Sequence, residues 1–251
     1  MIDHKITSLK PLFSERMLIF RTDSEKVGLV IGDLHLGMEY ELIKKGATLP
    51  ENTLKEKLMR ELEKLFSKKP KILVILGDVK ESIGRVTLLE EKILDLFFDE
   101  VLSRGIEVYI TAGNHDGGLE DVIPSDVRFF DSRGFSMGEV GFFHGHAYPG
   151  SNLSSCKVWV ACHIHPTVEL RDWSGRKVRY PVWVKVNRED GPDIIVIPPF
   201  NEFLLGYPIN GSYHHDERGP ILKYISENLD RTEVFSLDGI LLGNLRRLME
   251  E

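Results

Sequence analysis

A chain of 251 residues, 42% hydrophobic and 28% charged, is long enough to bury a sizeable core as one large α/β domain or two small ones. It contains no apolar run as long as a membrane span, and its opening MIDHKITSLK lacks the apolar segment of a signal peptide, so a cytoplasmic protein is expected. The formal charge of -7 excludes a broadly DNA-coating surface but leaves room for one local basic face, and Cys156 and Cys162 fit a reducing compartment.

Residues 17–20 and 27–31 read as the first two strands, joined by a polar turn over 22–26. The second runs into Gly32-Asp33-Leu34-His35-Leu36-Gly37. Leu54, Leu58, Leu62 and Leu65 recur at helical spacing and predict a helix over 53–66. Residues 71–76 form a short β-branched run, read as a strand buried on both faces, that stops at Gly77-Asp78. A second helix is predicted over 86–102, closed by Gly105, and the next strand over 106–112 ends in Gly113-Asn114-His115-Asp116-Gly117-Gly118. Strand, helix, strand, helix, strand implies a largely parallel sheet with crossover helices.

Strand candidates then follow at 127–130, 139–143, 158–162, 178–186 and 193–197 with little helix between them. They predict a second sheet packed on the first, within a single domain spanning residues 1–251. An irregular stretch covers 198–220, edge strands are expected at 221–225 and 232–236, and a short helix at 243–251.

The strand ends carry matching chemistry: Asp33-x-His35, Gly77-Asp78, Gly113-Asn114-His115-Asp116, His144-Gly145-His146 and His163-x-His165. An acid after one strand is an ordinary turn. Most of the chain's nine histidines gathered behind several strands are not. Oxygen and imidazole donors together suit Mn²⁺, Fe²⁺ or Zn²⁺ better than Ca²⁺ or a thiolate zinc site. On an extended segment, residues i and i+2 point to one side, which would let Asp33 with His35, and His163 with His165, each hold one ion.

These blocks resemble the signature of the calcineurin-like metallophosphoesterase superfamily: D-x-H, G-D, G-N-H-[D/E], H and G-H-x-H, in that order over residues 33–165. GDLHLG, LGDVKES, GNHDGG and HGHAYP also look like an archaeal subgroup related to bacterial ligase-associated DNA-damage phosphoesterases. The resemblance implies a four-layer α-β-β-α sandwich of two mixed β-sheets flanked by helices, with a dinuclear metal site at the strand ends. It places one metal among Asp33, His35, Asp78 and His165, and a second among Asp78, Asn114, His144 and His163. Asp78 would bridge them, giving one oxygen to each. His115 matches the family's catalytic histidine, which stabilises phosphoryl oxygens or protonates the leaving alkoxide, and Asp116 would orient its ring. The cofactor implied is a pair of divalent ions, Mn²⁺ foremost, with Fe²⁺, Zn²⁺ or Co²⁺ as alternatives. The implied reaction is phosphoester hydrolysis by a hydroxide shared between them. Cys162 stands where the family has glycine, either filling a gap or adding a ligand.

Around this core the residues leave choices open. His146 either contacts substrate phosphate or partners His144. Lys80 and Arg85, near Glu81, either bind phosphate or are solvated loop charges. Glu39 and Tyr40 either wall a pocket or begin a helix. Arg171, Arg176, Lys177, Arg179, Lys185 and Arg188, interspersed with Trp173, Tyr180 and Trp183, read either as a single-strand nucleic-acid surface or as an amphipathic hairpin. His214 and His215 are taken as surface residues. The functional readings are a phosphodiesterase for nucleic acid or a nucleotide, a phosphomonoesterase for a small metabolite, and a noncatalytic scaffold. A DNA-repair or RNA-processing helicase or ligase is the kind of partner the resemblance implies, and no membrane is expected.

Overall fold

The computed structural model describes residues 4–40, 46, 53–211 and 219–250. The first sheet runs β1 (Ile6–Leu12), β2 (Met17–Thr22), β3 (Val27–Ile31), β4 (Ile72–Ile75), β5 (Glu107–Thr111) and β6 (Arg128–Phe130), in that spatial order. β1 to β3 are antiparallel neighbours and β3 to β6 are parallel. Helices α1 (Thr53–Phe66) and α2 (Leu88–Leu102) lie in the two crossovers predicted for them. Thr87 and Glu90 close a capping box at the start of α2. The register aligns Ile31 with Ile75 and Ile75 with Ile110, so the loops bearing Asp33, Asp78 and His115 leave the sheet along one edge.

The second, nine-stranded sheet has the order β13-β10-β11-β12-β9-β8-β7, with β14 on β11 and β15 on β14. These are β7 (Phe135–Met137), β8 (Val140–Phe142), β9 (Val158–Ala161), β10 (Pro166–Arg171), β11 (Lys177–Val186), β12 (Asp193–Val196), β13 (Tyr207–Pro208), β14 (Thr232–Ser236) and β15 (Leu241–Asn244). Parallel β8 and β9 send His144 and His163 out at the same end.

Side-chain alternation along the strands sorts the apolar residues into three layers of core. Leu29, Ile31, Leu73, Ile75, Val108 and Ile110 meet α1 and α2. Val30, Ile72, Val74 and Tyr109 face the other way, onto Phe142, Val160, Cys162 and Trp183 of the second sheet. Trp159, Ala161, Val182, Val184 and Val186 turn outward again, onto α3 (Pro220–Ser226) and α4 (Leu245–Leu248). The four-layer sandwich of two mixed sheets is therefore present. Among the described residues no helix is long and apolar enough to cross a membrane.

Several local expectations change. Residues 221–225, expected as a strand, are helical: Pro220 opens the helix, and Ile221, Leu222 and Ile225 share its buried face. The terminal segment begins as β15, and the helix starts only at Leu245, where Asn244 Oδ1 accepts from Arg247 N at 3.0 Å. Strands β1, β7, β10, β13 and β15 were not anticipated, and β13 shortens the irregular stretch. Met38, Glu39 and Tyr40 are helical, and Glu39 pairs with Lys57 at 2.5 Å. His214 and His215 lie outside the described residues.

Candidate metal centre

The loops at the shared edge are not extended. Asp33, His35, Asp78, His163 and His165 all have left-handed backbones, with φ of 54°, 47°, 49°, 72° and 43°. This corrects the i, i+2 expectation, since paired left-handed residues rather than a pleat bring the side chains round. Each such residue costs on the order of 1–2 kcal/mol. Backbone bonds offset the strain: Asp33 N donates to Gly77 O at 3.1 Å, His35 N to Asp78 O at 2.9 Å and Leu36 N to Val79 O at 2.8 Å. The two acidic loops thus run as a pair. Gly77, at φ 93°, abuts Gly113, where an added Cβ would stand 2.2 Å from Asp78 Oδ1.

Asp33, His35, Asp78 and His144 are buried. His144 Nε2 lies 3.1 Å from Asp33 Oδ1 and 3.4 Å from Asp78 Oδ2. His35 Nε2 stands 3.5 Å from Asp78 Oδ2, and His165 Nε2 3.5 Å from Asp33 Oδ1. Those last two nitrogens are buried and have no hydrogen-bond partner, the condition expected of donors shaped for a cation. Donor atoms of Asp33, His35 and His165 lie within 4.8 Å of one another, and so do those of Asp78, His144 and His163. Asp78 Oδ2 faces one imidazole of each group, while Oδ1 accepts from His115 N at 2.8 Å. One oxygen, Oδ2, therefore faces both groups. Asn114 is exposed between Gly113 and His115, which both touch Asp78.

Burial alone would raise the Asp33 and Asp78 carboxyls. The imidazoles of His165 and His144 beside Asp33, and of His144 and His35 beside Asp78, hold both far below the usual carboxylate range. Burial would lower His35, but the carboxylates of Asp78 and Glu81 beside it raise it to about 9, and His144 also rises against its burial. Burial and the neighbouring His144 push His163 down to about 3 and His146 to about 4.

A further ring of residues orients these groups, and Glu81, earlier placed only near the pocket, is central to it. Its carboxylate accepts from His35 Nδ1 at 2.7 Å, and its carbonyl accepts from His115 Nδ1. Asp116, expected to orient the His115 ring, instead accepts from Val79 N and Gly113 N, each at 2.8 Å, tying the two loops together. The ring is held instead by the Glu81 carbonyl. Lys80, a candidate phosphate binder, is wholly buried with its ammonium on backbone carbonyls, so it has no donor to offer substrate. Arg85 is exposed. His146 Nδ1 lies 2.8 Å from His144 Nδ1, which makes it a neighbour of that ring. Cys162 sits in the core between the sheets, its thiol pushed up by burial and directed at Leu76 O at 3.4 Å; its Sγ also falls within reach of Asp33 and His144. Asn201, not singled out in the sequence, is buried and donates from Nδ2 to Leu34 O at 3.0 Å.

The basic hairpin is the β10–β11 ribbon. Glu169 and Arg171 share a face with Lys177 and Arg179, where Glu169 accepts from both cations at 2.5 and 3.2 Å. Leu170, on the other face, packs on the outer core. Trp183 is buried between the sheets, whereas Trp173 and Tyr180 are 99% and 47% exposed. The amphipathic reading thus accounts for Trp183 but not for Trp173 at the ribbon's tip.

Residues 29–240 match the sequence family described as calcineurin-like phosphoesterase. No curated protein matches the chain. Among solved structures, Pseudomonas putida nuclease MPE has the same fold, with a TM-score of 0.58 at 19% identity over 95% of this chain and 98% of its own. YfcE, a phosphoesterase from E. coli, gives a TM-score of 0.40 at 15% identity, over 86% of this chain and 96% of that one.

Proposed function

This chain belongs to the calcineurin-like phosphoesterase family, and from that premise we propose that it is a metal-dependent phosphodiesterase acting on nucleic acid or a nucleotide. The observation that carries the reading is Asp78 Oδ2, which faces an imidazole of each donor group at 3.5 and 3.4 Å. In this reading Asp33, His35, Asp78 and His165 hold one divalent ion, and Asp78, Asn114, His144 and His163 the other. Bound there, Mn²⁺ or a related ion would supply positive charge to the phosphoryl oxygens and lower the pKa of the attacking water.

The chain's own groups do the rest. Asp33 and Asp78 remain carboxylates and keep the site anionic toward cations. His115 carries a proton on Nδ1, fixed by the Glu81 carbonyl, so Nε2 is the atom left to meet substrate. As an imidazolium it gives the Nε2 proton to the departing oxygen and returns to the Nδ1–H tautomer. Trp173 and Tyr180 on the cationic ribbon favour a nucleic acid over a small metabolite, since exposed aromatics stack on bases. The nuclease among the proteins of the same fold accords with this substrate class. The test is hydrolysis of bis-p-nitrophenyl phosphate with Mn²⁺. Wild type is expected to be active and Asp78→Asn inactive. Wild-type rates in the mutant or in metal-free protein would sink the reading, and faster turnover of monoesters would redirect it to a phosphomonoesterase.

A further inference from the structure

An ammonium has three N–H donors, and those of Lys80 point at three carbonyls: Ser82, Gly84 at 2.8 Å and His115 at 2.6 Å. Ser82 Oγ lies beside them at 3.5 Å. Two of the carbonyls belong to the loop between β4 and α2, and the third belongs to the residue read as the proton donor. From the far side the same loop is held by Glu90, which accepts from Ser82 N at 2.7 Å and Ser82 Oγ at 2.6 Å. His115 is therefore fixed three ways: its amide on Asp78, its ring on the Glu81 carbonyl and its carbonyl on Lys80. The first two partners serve the metal groups as well. Lys80 serves only the joint between the two loops.

We propose that Lys80 is a positioning residue for His115, joining residues 82–84 to the His115 carbonyl so that Nε2 stands where the leaving oxygen departs. This rests on the phosphodiesterase reading. In alkyl diester hydrolysis, water forms the new P–O bond and the old one breaks with its electron pair going to the leaving oxygen. That oxygen takes the Nε2 proton, and the proton lost by water restores the imidazolium. A p-nitrophenolate leaves without such help, whereas a nucleoside alkoxide does not. Displacing His115 therefore slows the two kinds of ester unequally, which loosening the fold as a whole does not do.

The experiment compares wild type, Lys80→Met, Lys80→Arg and His115→Ala as full-length Mn²⁺-loaded proteins, with metal content measured. The substrates are bis-p-nitrophenyl phosphate and a dinucleoside monophosphate. Lys80→Met is expected to keep wild-type metal content and KM. Its kcat on the dinucleoside monophosphate should fall at least about tenfold further than its kcat on the nitrophenyl diester, part of the roughly 10²–10⁴-fold available to a general acid. His115→Ala should show the same selectivity, and Lys80→Arg should recover part of the loss. Equal losses on the two substrates, or a loss confined to KM, would overturn the proposal. If Lys80→Met does not fold, Lys80→Arg decides: selective loss supports the proposal and unselective rates overturn it. Wild type inactive on both diesters would refute the underlying reading instead, a separate outcome.

Discussion

Gly113→Ala is the sharpest test of how the centre is built. The added Cβ would lie 2.2 Å from Asp78 Oδ1 and 2.3 Å from Asp78 N, with Asp78 Cγ at 2.9 Å. Ordinary contact begins near 3.4 Å, so the loops must part by about 1 Å at the carboxylate that faces both donor groups. Overpacking of this kind costs about 1–3 kcal/mol. A misplacement of about 1 Å at a reacting centre costs on the order of a hundredfold in rate. Gly84→Ala is the internal control: it lies in the neighbouring loop, its Cβ meets nothing within 4 Å, and its φ is not left-handed. Urea unfolding, metal stoichiometry and diesterase rate should all change in Gly113→Ala, while stability in Gly84→Ala should stay within about 0.5 kcal/mol of wild type. A Gly113→Ala protein with two ions and wild-type rate would refute the close approach of these loops.

Glu81→Gln replaces the carboxylate on His35 Nδ1, and divalent-ion affinity should fall about 10–100-fold by calorimetric titration. Unchanged affinity would remove Glu81 from the centre. Trp173→Ala should weaken single-stranded oligonucleotide binding by about tenfold or more in fluorescence titrations, with bis-p-nitrophenyl phosphate turnover unaltered. An unaltered oligonucleotide affinity would return the ribbon to a purely structural role. Away from the centre, burial would raise the Glu107 carboxyl, but Lys26 at 2.6 Å and His4 at 3.2 Å lower it to about 2 from its ordinary 4.5. A depressed carboxyl stabilises the fold above its unfolded pKa and loses that contribution as pH falls, here between about 4.5 and about 2. With 35% of the side chain exposed, screening leaves about 1 kcal/mol. Glu107→Gln should be less stable by that amount at pH 7 and approach wild type as the pH drops below 4.5 in urea unfolding; a gap that widens in acid would contradict the linkage.

The central strands and both crossover helices were legible because their signals are local: β-branched apolar runs in β3 to β5 and leucines at helical spacing in α1. The residues that gather at the metal centre were legible too, since every cluster follows such a run. Their backbone was not, because aspartate and histidine carry no mark of a left-handed φ. Nor was the part played by Lys80, whose anchoring carbonyl at His115 lies 35 residues away in sequence. Beside a candidate phosphate site, a lysine reads as solvated until its donors are counted. Helix α3 was mistaken for a strand because five residues are too few to separate the two periods, and β1, with Pro11 within it, has the mixed pattern of an edge.

The centre draws Asp33, His35, Asp78 and His115 from loops of the first sheet, and His144, His163 and His165 from loops of the second. Asp33 Oδ2 already accepts from His163 N across that seam at 3.2 Å. Ions held there would act as rivets between two slabs that also meet through apolar side chains and a few hydrogen bonds, Trp183 Nε1 to Phe13 O at 3.1 Å and Asn201 Nδ2 to Leu34 O at 3.0 Å among them. Shear of one slab against the other would displace three imidazoles together, so the contact around Phe142, Val160 and Trp183 would set the tolerance to which this cluster of donors is held.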